Sequence, residues 1–196
     1  MTTVAVVLAA GAGTRFGGAT HKLDALLRGR PLLAHALGAA LASGVGPVLV
    51  VTSDLIATAR PEALPAGVQR VVNDDWRDGQ SSSLRCGIAA AATAGADDVI
   101  IGLGDQPFVI AAAWRAIAAT DGAIVAATYG GRRGHPVKLR RDVWHLLATT
   151  GDQGARTLMR LRPELVGEVP CDGSTTDVDT LEDLNRWQNN SSTSSP

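Results

Sequence analysis

Short apolar runs rich in β-branched residues recur at residues 4–8, 48–52, 68–73 and 99–103, each followed by glycine or polar positions. Such runs predict strands buried on both faces of a parallel sheet. The stretches between them predict helices: one with Pro31 in its first turn running to about Ser43, one opening at Ser82 or Ser83 and reaching Ala94, and one over 111–119. Strand and helix in alternation predict a doubly wound sheet with right-handed crossovers. After Gly122 the pattern changes. Residues 123–129 and 136–139 read as two strands around Gly130-Gly131-Arg132-Arg133-Gly134, an antiparallel addition to an otherwise mostly parallel sheet. Short helices near 141–147 and 154–161, an extended piece and a last helix over 180–188 complete one α/β domain spanning 1–188. The polar, repetitive residues 189–196 predict a disordered tail.

A length of 196 residues supports one core rather than two. Lysine and arginine (18) nearly balance aspartate and glutamate (19), which leaves no broad basic footprint for a nucleic acid or an anionic membrane. An anion bound by this chain must therefore be caught locally, and a small charged ligand fits better than a polymer. Cys86 and Cys171 form neither a CxxC pair nor a disulfide framework, which suits reduced thiols inside a cell. The apolar stretch 4–10 is too short to span a bilayer and no lysine or arginine precedes it, so the expected location is the cytoplasm.

Candidate chemistry begins directly after the first strand, with Leu8-Ala9-Ala10-Gly11-Ala12-Gly13-Thr14-Arg15-Phe16-Gly17-Gly18 and then Lys22. In open α/β sheets ligands bind at the carboxyl ends of strands, where small residues let backbone N–H groups approach phosphate oxygens. Arg15 and Lys22 would supply the charge. Two familiar glycine-loop motifs do not fit: a phosphate-binding P-loop needs lysine after its last glycine, where Ala19 stands, and a dinucleotide fingerprint needs glycine where Phe16 stands. A tight turn after a strand uses the same glycines, and the two cations are what favour a polyphosphate site.

Two acids are placed to hold a metal. Asp105, in Leu103-Gly104-Asp105-Gln106-Pro107, ends the fourth predicted strand at the same rim as the glycine loop. Mg²⁺ takes one or two carboxylates and fills its shell with phosphate oxygens and water. A helix-capping or turn role before Pro107 explains such an aspartate equally well. In Thr176-Asp177-Val178-Asp179-Thr180-Leu181-Glu182-Asp183-Leu184, alternation puts Asp177 and Asp179 on one side of an extended segment, while Thr180 and Asp183 have the spacing of a capping box.

The loop Leu-Ala-Ala-Gly-x-Gly-x-Arg-Phe-Gly with its following lysine resembles the signature of nucleotidyltransferases with a Rossmann-like fold, among them the sugar-phosphate and molybdenum cofactor enzymes. Residues 73–87, Asn-x-x-Trp-x-x-Gly-x-x-x-Ser-Leu-x-x-Gly, look like the corresponding stretch of molybdenum cofactor cytidylyltransferases at every fixed place. Gly131-Arg132-Arg133-Gly134-His135-Pro136-Val137 and Gly151-Asp152-Gln153-Gly154-Ala155-Arg156 are similar to the segments that face the pterin in that family. The resemblance runs from Val4 to about Leu184. It implies a three-layer, single-domain fold and a reaction in which CMP passes from CTP to the terminal phosphate of molybdenum-molybdopterin, with release of pyrophosphate.

The same resemblance selects Asp179 over Asp177 as the second magnesium ligand beside Asp105, although Leu181 replaces the usual proline. It implies catalytic roles for Arg15, Lys22 and Asp105, and nucleotide contacts from Leu8, Ala9, Ala10, Gly11, Gly13, Arg15, Lys22, Ser82, Ser83 and Gly87. Gln106, Arg133, His135, Asp152 and Arg156 are the candidates for binding the acceptor, which would later pass to a molybdenum hydroxylase. Three rival readings keep the phosphate-binding rim but change its use: a guanylyltransferase on the same pterin or a relative with another phosphorylated acceptor, a glycosyltransferase of similar fold, and a non-enzymatic chaperone that carries the pterin. The four histidines lack HExxH or H-x-x-x-H spacing, and no Gly-x-Ser-x-Gly nucleophile elbow is present.

Overall fold

The first strand, β1 (Thr3–Ala9), shows how this sequence makes a layered molecule. Its side chains alternate between two faces. Ala5, Val7 and Ala9 join one apolar cluster, whereas Val4, Val6 and Leu8 join another on the opposite side. The computed structural model describes residues 1–17, 20–148, 151 and 153–189, with only the backbone described at residues 15, 57 and 189. A small hairpin follows β1, made of β2 (Leu26–Leu27) and β3 (Arg30–Pro31), and leads into α1 (Leu32–Ser43). Then come β4 (Val48–Thr52), β5 (Val68–Val72), α2 (Gln80–Thr93), β6 (Asp98–Leu103) and α3 (Ala111–Ala119). The last part contains β7 (Ile124–Tyr129), β8 (Arg132–Arg140), α4 (Arg156–Leu161), β9 (Val166–Pro170) and α5 (Leu181–Asn189).

The main sheet has the order β5-β4-β1-β6-β8-β7-β9. β4 and β6 lie parallel to β1 on its two sides, β5 is parallel to β4, and β9 is parallel to β7. β8 alone runs the other way, antiparallel to both β6 and β7. One face of the sheet packs on α1 and α3 through residues such as Leu33, Leu37, Trp114 and Ile117. The other packs on α2 and α4 through Leu84, Ile88, Ala91 and Leu158. Each fully buried leucine or isoleucine contributes about 1.5–3 kcal/mol of transfer free energy, so these two faces dominate the fold. A third cluster, with Phe16, Leu27, Leu32, Val178 and Leu184, joins the hairpin to α5. Among the described residues no helix is long and apolar enough to cross a membrane.

Several boundaries differ from the sequence reading, each for a local reason. α2 begins at Gln80, before the serines, because Gly79 at φ 93° ends the preceding turn and sits at the helix N-cap. The turn between β7 and β8 uses only Gly130 and Gly131, both with positive φ as a tight two-residue hairpin requires. Arg132, Arg133 and Gly134 therefore belong to β8. The 141–147 helix is a 3-10 segment, Arg141–Leu146, and α4 starts only at Arg156. Of the predicted tail, residue 189 ends α5, while 190–196 lie outside the described residues.

Candidate active site

β1 crosses to β4 on one side and to β6 on the other, so the loops after β1 and β6 diverge at their carboxyl ends and leave a crevice there. A cleft of about 430 Å³ occupies this place, lined on one side by residues 8–14 and on the other by Trp76, Arg77, Gly79, Gln80 and Ser83. Gly13 adopts φ 63° at the entrance to a short 3-10 turn, Thr14–Phe16, and its carbonyl accepts the Phe16 N–H at 3.1 Å. Among the described residues, the N–H groups of Ala12, Gly13 and Thr14 find no backbone acceptor outside regular elements. A row of such donors in a glycine turn is an anion-binding concavity. Any side chain at Gly13 would crowd its neighbours, since a Cβ there lies 3.1 Å from the Lys22 Cβ and 3.2 Å from the His21 Nε2.

Lys22 closes one end of this cleft. Its Nζ donates to Asp105 Oδ2 at 2.6 Å and to Asp179 Oδ1 at 2.7 Å, and the residue is 8% exposed. Burial opposes its charge, but the two carboxylates outweigh that cost and hold its pKa above the ordinary lysine value. Residues 22, 105 and 179 thus meet at one point although they are far apart in the chain. Asp105 arrives at the end of β6, and its carbonyl accepts the Val178 N–H at 3.2 Å, which ties the 177–179 segment to the same rim. The capping box forms as expected: Thr180 Oγ1 donates to Asp183 Oδ2 at 2.8 Å and accepts the Asp183 N–H at 3.1 Å. Thr180 caps α5, and Asp179 lines the cleft.

The donor set suits a hard divalent cation. Two carboxylate oxygens converge on the Lys22 ammonium, and a pair of carboxylates that leaves the rest of a coordination shell to phosphate and water is one way to hold such a divalent cation. Asp177 takes a different direction: its Oδ1 accepts from Gln106 Nε2 at 2.8 Å, and it lines a second cleft. Burial, followed by the nearby Asp105 charge, raises the Asp177 pKa.

The second cleft, about 650 Å³, shares Leu8, Gln80 and Leu103 with the first and is lined by Gln106, Arg133, His135 and Arg156. β8 aims His135 into it. The β7–β8 register shifts so that Ala126 opposes Val137 and Ala127 opposes Gly134, leaving His135 and Pro136 in a bulge. The Tyr129 hydroxyl donates to the His135 carbonyl at 2.8 Å. Burial lowers the His135 pKa to about 4, with the Arg156 charge adding to the shift and Asp105 opposing it, so the imidazole is neutral at pH 7. Among the described residues, Gln106 Oε1 is buried with no hydrogen-bond partner. Arg133 is already engaged, its Nε donating to Glu168 Oε1 at 2.5 Å.

Two of the expected nucleotide-contact residues do not line either cleft. Gly87 lies inside α2, away from both clefts, where a Cβ would come 2.7 Å from Val6 Cγ1 and 3.0 Å from Val51 Cγ2. It is a close-packing glycine between helix and sheet. Ser82 is buried, with its hydroxyl donating to the Gly79 carbonyl at 2.9 Å and accepting from Asn73 Nδ2 at 2.9 Å. That hydrogen bonding shapes the turn, and Ser83 is the serine that lines the cleft. The Arg15 side chain and Asp152 lie outside the described residues. Sequence reasoning assigned no role to His21, Trp76 and Arg77 at the first cleft or to Arg132 and Arg160 at the second. Trp76 and Arg132 carried a sequence signal as members of motifs already noticed, and Asp177 stood as the alternative to Asp179.

A family model described as the MobA-like NTP transferase domain matches residues 5–169 of this chain. The chain belongs to that family. This MobA-like NTP transferase is 35% identical to the nicotine blue oxidoreductase of Paenarthrobacter nicotinovorans, a match covering 92% of the chain and 94% of the relative. A 2-C-methyl-D-erythritol 4-phosphate cytidylyltransferase of Cereibacter sphaeroides is 41% identical over 112 residues, 56% of the chain and 49% of that enzyme. Among solved structures, Rv0371c of Mycobacterium tuberculosis H37Rv in complex with manganese has a TM-score of 0.78 at 29% identity, covering 96% of the chain and 98% of that protein. A nucleotidyl transferase from Methanothermobacter thermautotroptrophicus has a TM-score of 0.81 at 28% identity, covering 96% and 97%. The MobA-like NTP transferase is thus an enzyme, a nucleotidyltransferase built on a Rossmann-like sheet.

Proposed function

We propose that this enzyme transfers CMP from CTP to the terminal phosphate of a molybdopterin-type acceptor, releasing pyrophosphate and handing the cytosine dinucleotide product to a molybdenum hydroxylase. The observation that carries the reading is the meeting of Lys22, Asp105 and Asp179 at the edge of one cleft, with a second cleft opening beside it. The first has a row of N–H donors and a buried ammonium for a triphosphate. The second offers Arg156 and Arg133 for an acceptor phosphate, with neutral His135 and Gln106 for a polar ring. Support for cytosine comes from the likeness of residues 73–87 to the cytidylyltransferase stretch and from the partial similarity to a cytidylyltransferase.

In this reading an oxygen of the acceptor phosphate attacks the α-phosphorus of CTP in line. The new O–Pα bond forms as the bond from Pα to the bridging oxygen of the β-phosphate breaks, and pyrophosphate leaves with that oxygen. A phosphate monoester is already anionic near neutral pH, so no protein nucleophile is required and catalysis rests on alignment and charge neutralisation. Lys22 and the N–H row bind the β- and γ-phosphates and stabilise the departing pyrophosphate, with Arg15 assigned to the same task from the sequence. Asp105 and Asp179 would hold a magnesium ion, whose contribution is to neutralise phosphate oxygens of both substrates.

The test is to incubate the protein with Mg²⁺, molybdenum cofactor and each ribonucleoside triphosphate in turn, and to measure pyrophosphate. CTP alone should respond; a response to GTP instead would make the enzyme a guanylyltransferase on the same rim. The 35% identity to a nicotine blue oxidoreductase over nearly the whole chain favours one second reading, a redox enzyme. Redox turnover of nicotine blue by the protein with an added electron donor or acceptor, without pyrophosphate release from any triphosphate, would select it.

A further inference from the structure

His21 stands immediately before Lys22 and reaches across to the glycine loop. Its Nδ1 accepts the Leu23 N–H at 3.2 Å, which caps the 3-10 turn Lys22–Asp24. With that nitrogen occupied as an acceptor, the proton of the neutral ring resides on Nε2, which donates to the Gly11 carbonyl at 2.9 Å. The ring also packs against Gly13: a Cβ built there lies 3.2 Å from Nε2 and 3.4 Å from Cε1. One imidazole thus bonds both sides of this end of the cleft, the glycine loop and the turn carrying Lys22, and it lines the cleft between them.

We infer that His21 is a positioning residue that latches the glycine loop to the Lys22 turn, so that the N–H row and the ammonium face the same triphosphate. This rests on the reading of that cleft as the triphosphate site. Without the latch, the loop carbonyl at Gly11 loses its donor and the direct hydrogen bond between the loop and the Lys22 turn is lost. A triphosphate must then order the loop as it binds, which weakens nucleotide affinity and leaves the acceptor's cleft untouched.

Two substitutions separate the latch from the cap. In His21→Asn the side-chain oxygen takes the place of Nδ1 and keeps the Leu23 contact, but the amide is too short to reach Gly11. In His21→Gln the longer amide restores a donor near the Nε2 position. The measurements are KM for CTP and for the acceptor, with kcat, and calorimetric binding of CTP with Mg²⁺. The expected result for His21→Asn is a KM for CTP raised about three- to tenfold, the value of one hydrogen bond, with the acceptor KM and the melting temperature unchanged. His21→Gln should recover most of the loss. Wild-type CTP affinity in His21→Asn, or equal impairment of the Asn and Gln variants, would overturn the latch. Failure of the underlying reading looks different: there Lys22→Ala itself would bind CTP with undiminished affinity.

Discussion

The ammonium of Lys22 lies within 2.7 Å of two carboxylates in a nearly water-free position, and that geometry determines both its charge and its use. Its pKa is raised above the ordinary 10.5 by Asp105 and Asp179 despite burial. A lysine with a raised folded-state pKa stabilises the fold fully below its unfolded value, and the contribution disappears as pH rises through the folded one. Urea midpoints should therefore hold between pH 7 and 10 and fall above about 10.5, a fall that Lys22→Met should lack. In catalysis, Lys22→Ala should lower kcat by about a hundredfold or more, the usual cost of one charge-stabilising donor, as read by pyrophosphate release. His135 works in the opposite direction. Burial depresses its pKa from 6.5 to about 4, so the unfolded chain binds the extra proton first on acidification. Stability should drop as pH falls from about 6.5 towards 4, and His135→Gln should flatten that part of the curve in denaturant titrations.

At the level of elements, glycine positions decide how closely helices approach the sheet. A Cβ at Gly87 of α2 would press on Val6 and Val51, both β-branched and stiff at χ1. Alanine gains about 1 kcal/mol in helix propensity over glycine, whereas overpacking a tight contact costs about 1–3 kcal/mol. Packing should win, and Gly87→Ala should lower the urea midpoint. Gly87 also shows why a motif position is ambiguous in sequence: the same glycine serves ligand approach or helix packing, and only its neighbours tell which. The strands β1, β4 and β6 and the helix α3 were legible in the chain because continuous apolar runs and clear helix periods leave few alternatives. α2 was misplaced at its start because serines make good N-caps, yet Gly79 stops the preceding turn and the helix opens at Gln80, two or three residues earlier.

For the whole molecule, binding stabilises in proportion to ligand occupancy. CTP with Mg²⁺ at a hundred times its Kd should stabilise the fold by about 2.7 kcal/mol, roughly 5–10 °C in Tm for a chain of this size. EDTA, or Asp105→Asn and Asp179→Asn, should remove the metal-dependent part of that shift in a thermal melt. The sequence by itself determined the layer arrangement and the glycine loop at the end of β1, because local periodicity and motif spacing are properties of neighbouring residues. It did not determine that Ser82 is turned into its own loop, or that His21 bridges the glycine loop and the Lys22 turn. The meeting of Lys22 with Asp105 and Asp179 depends on β6 and the segment before α5 arriving at the same rim from distant parts of the chain, and only the packed sheet brings them together.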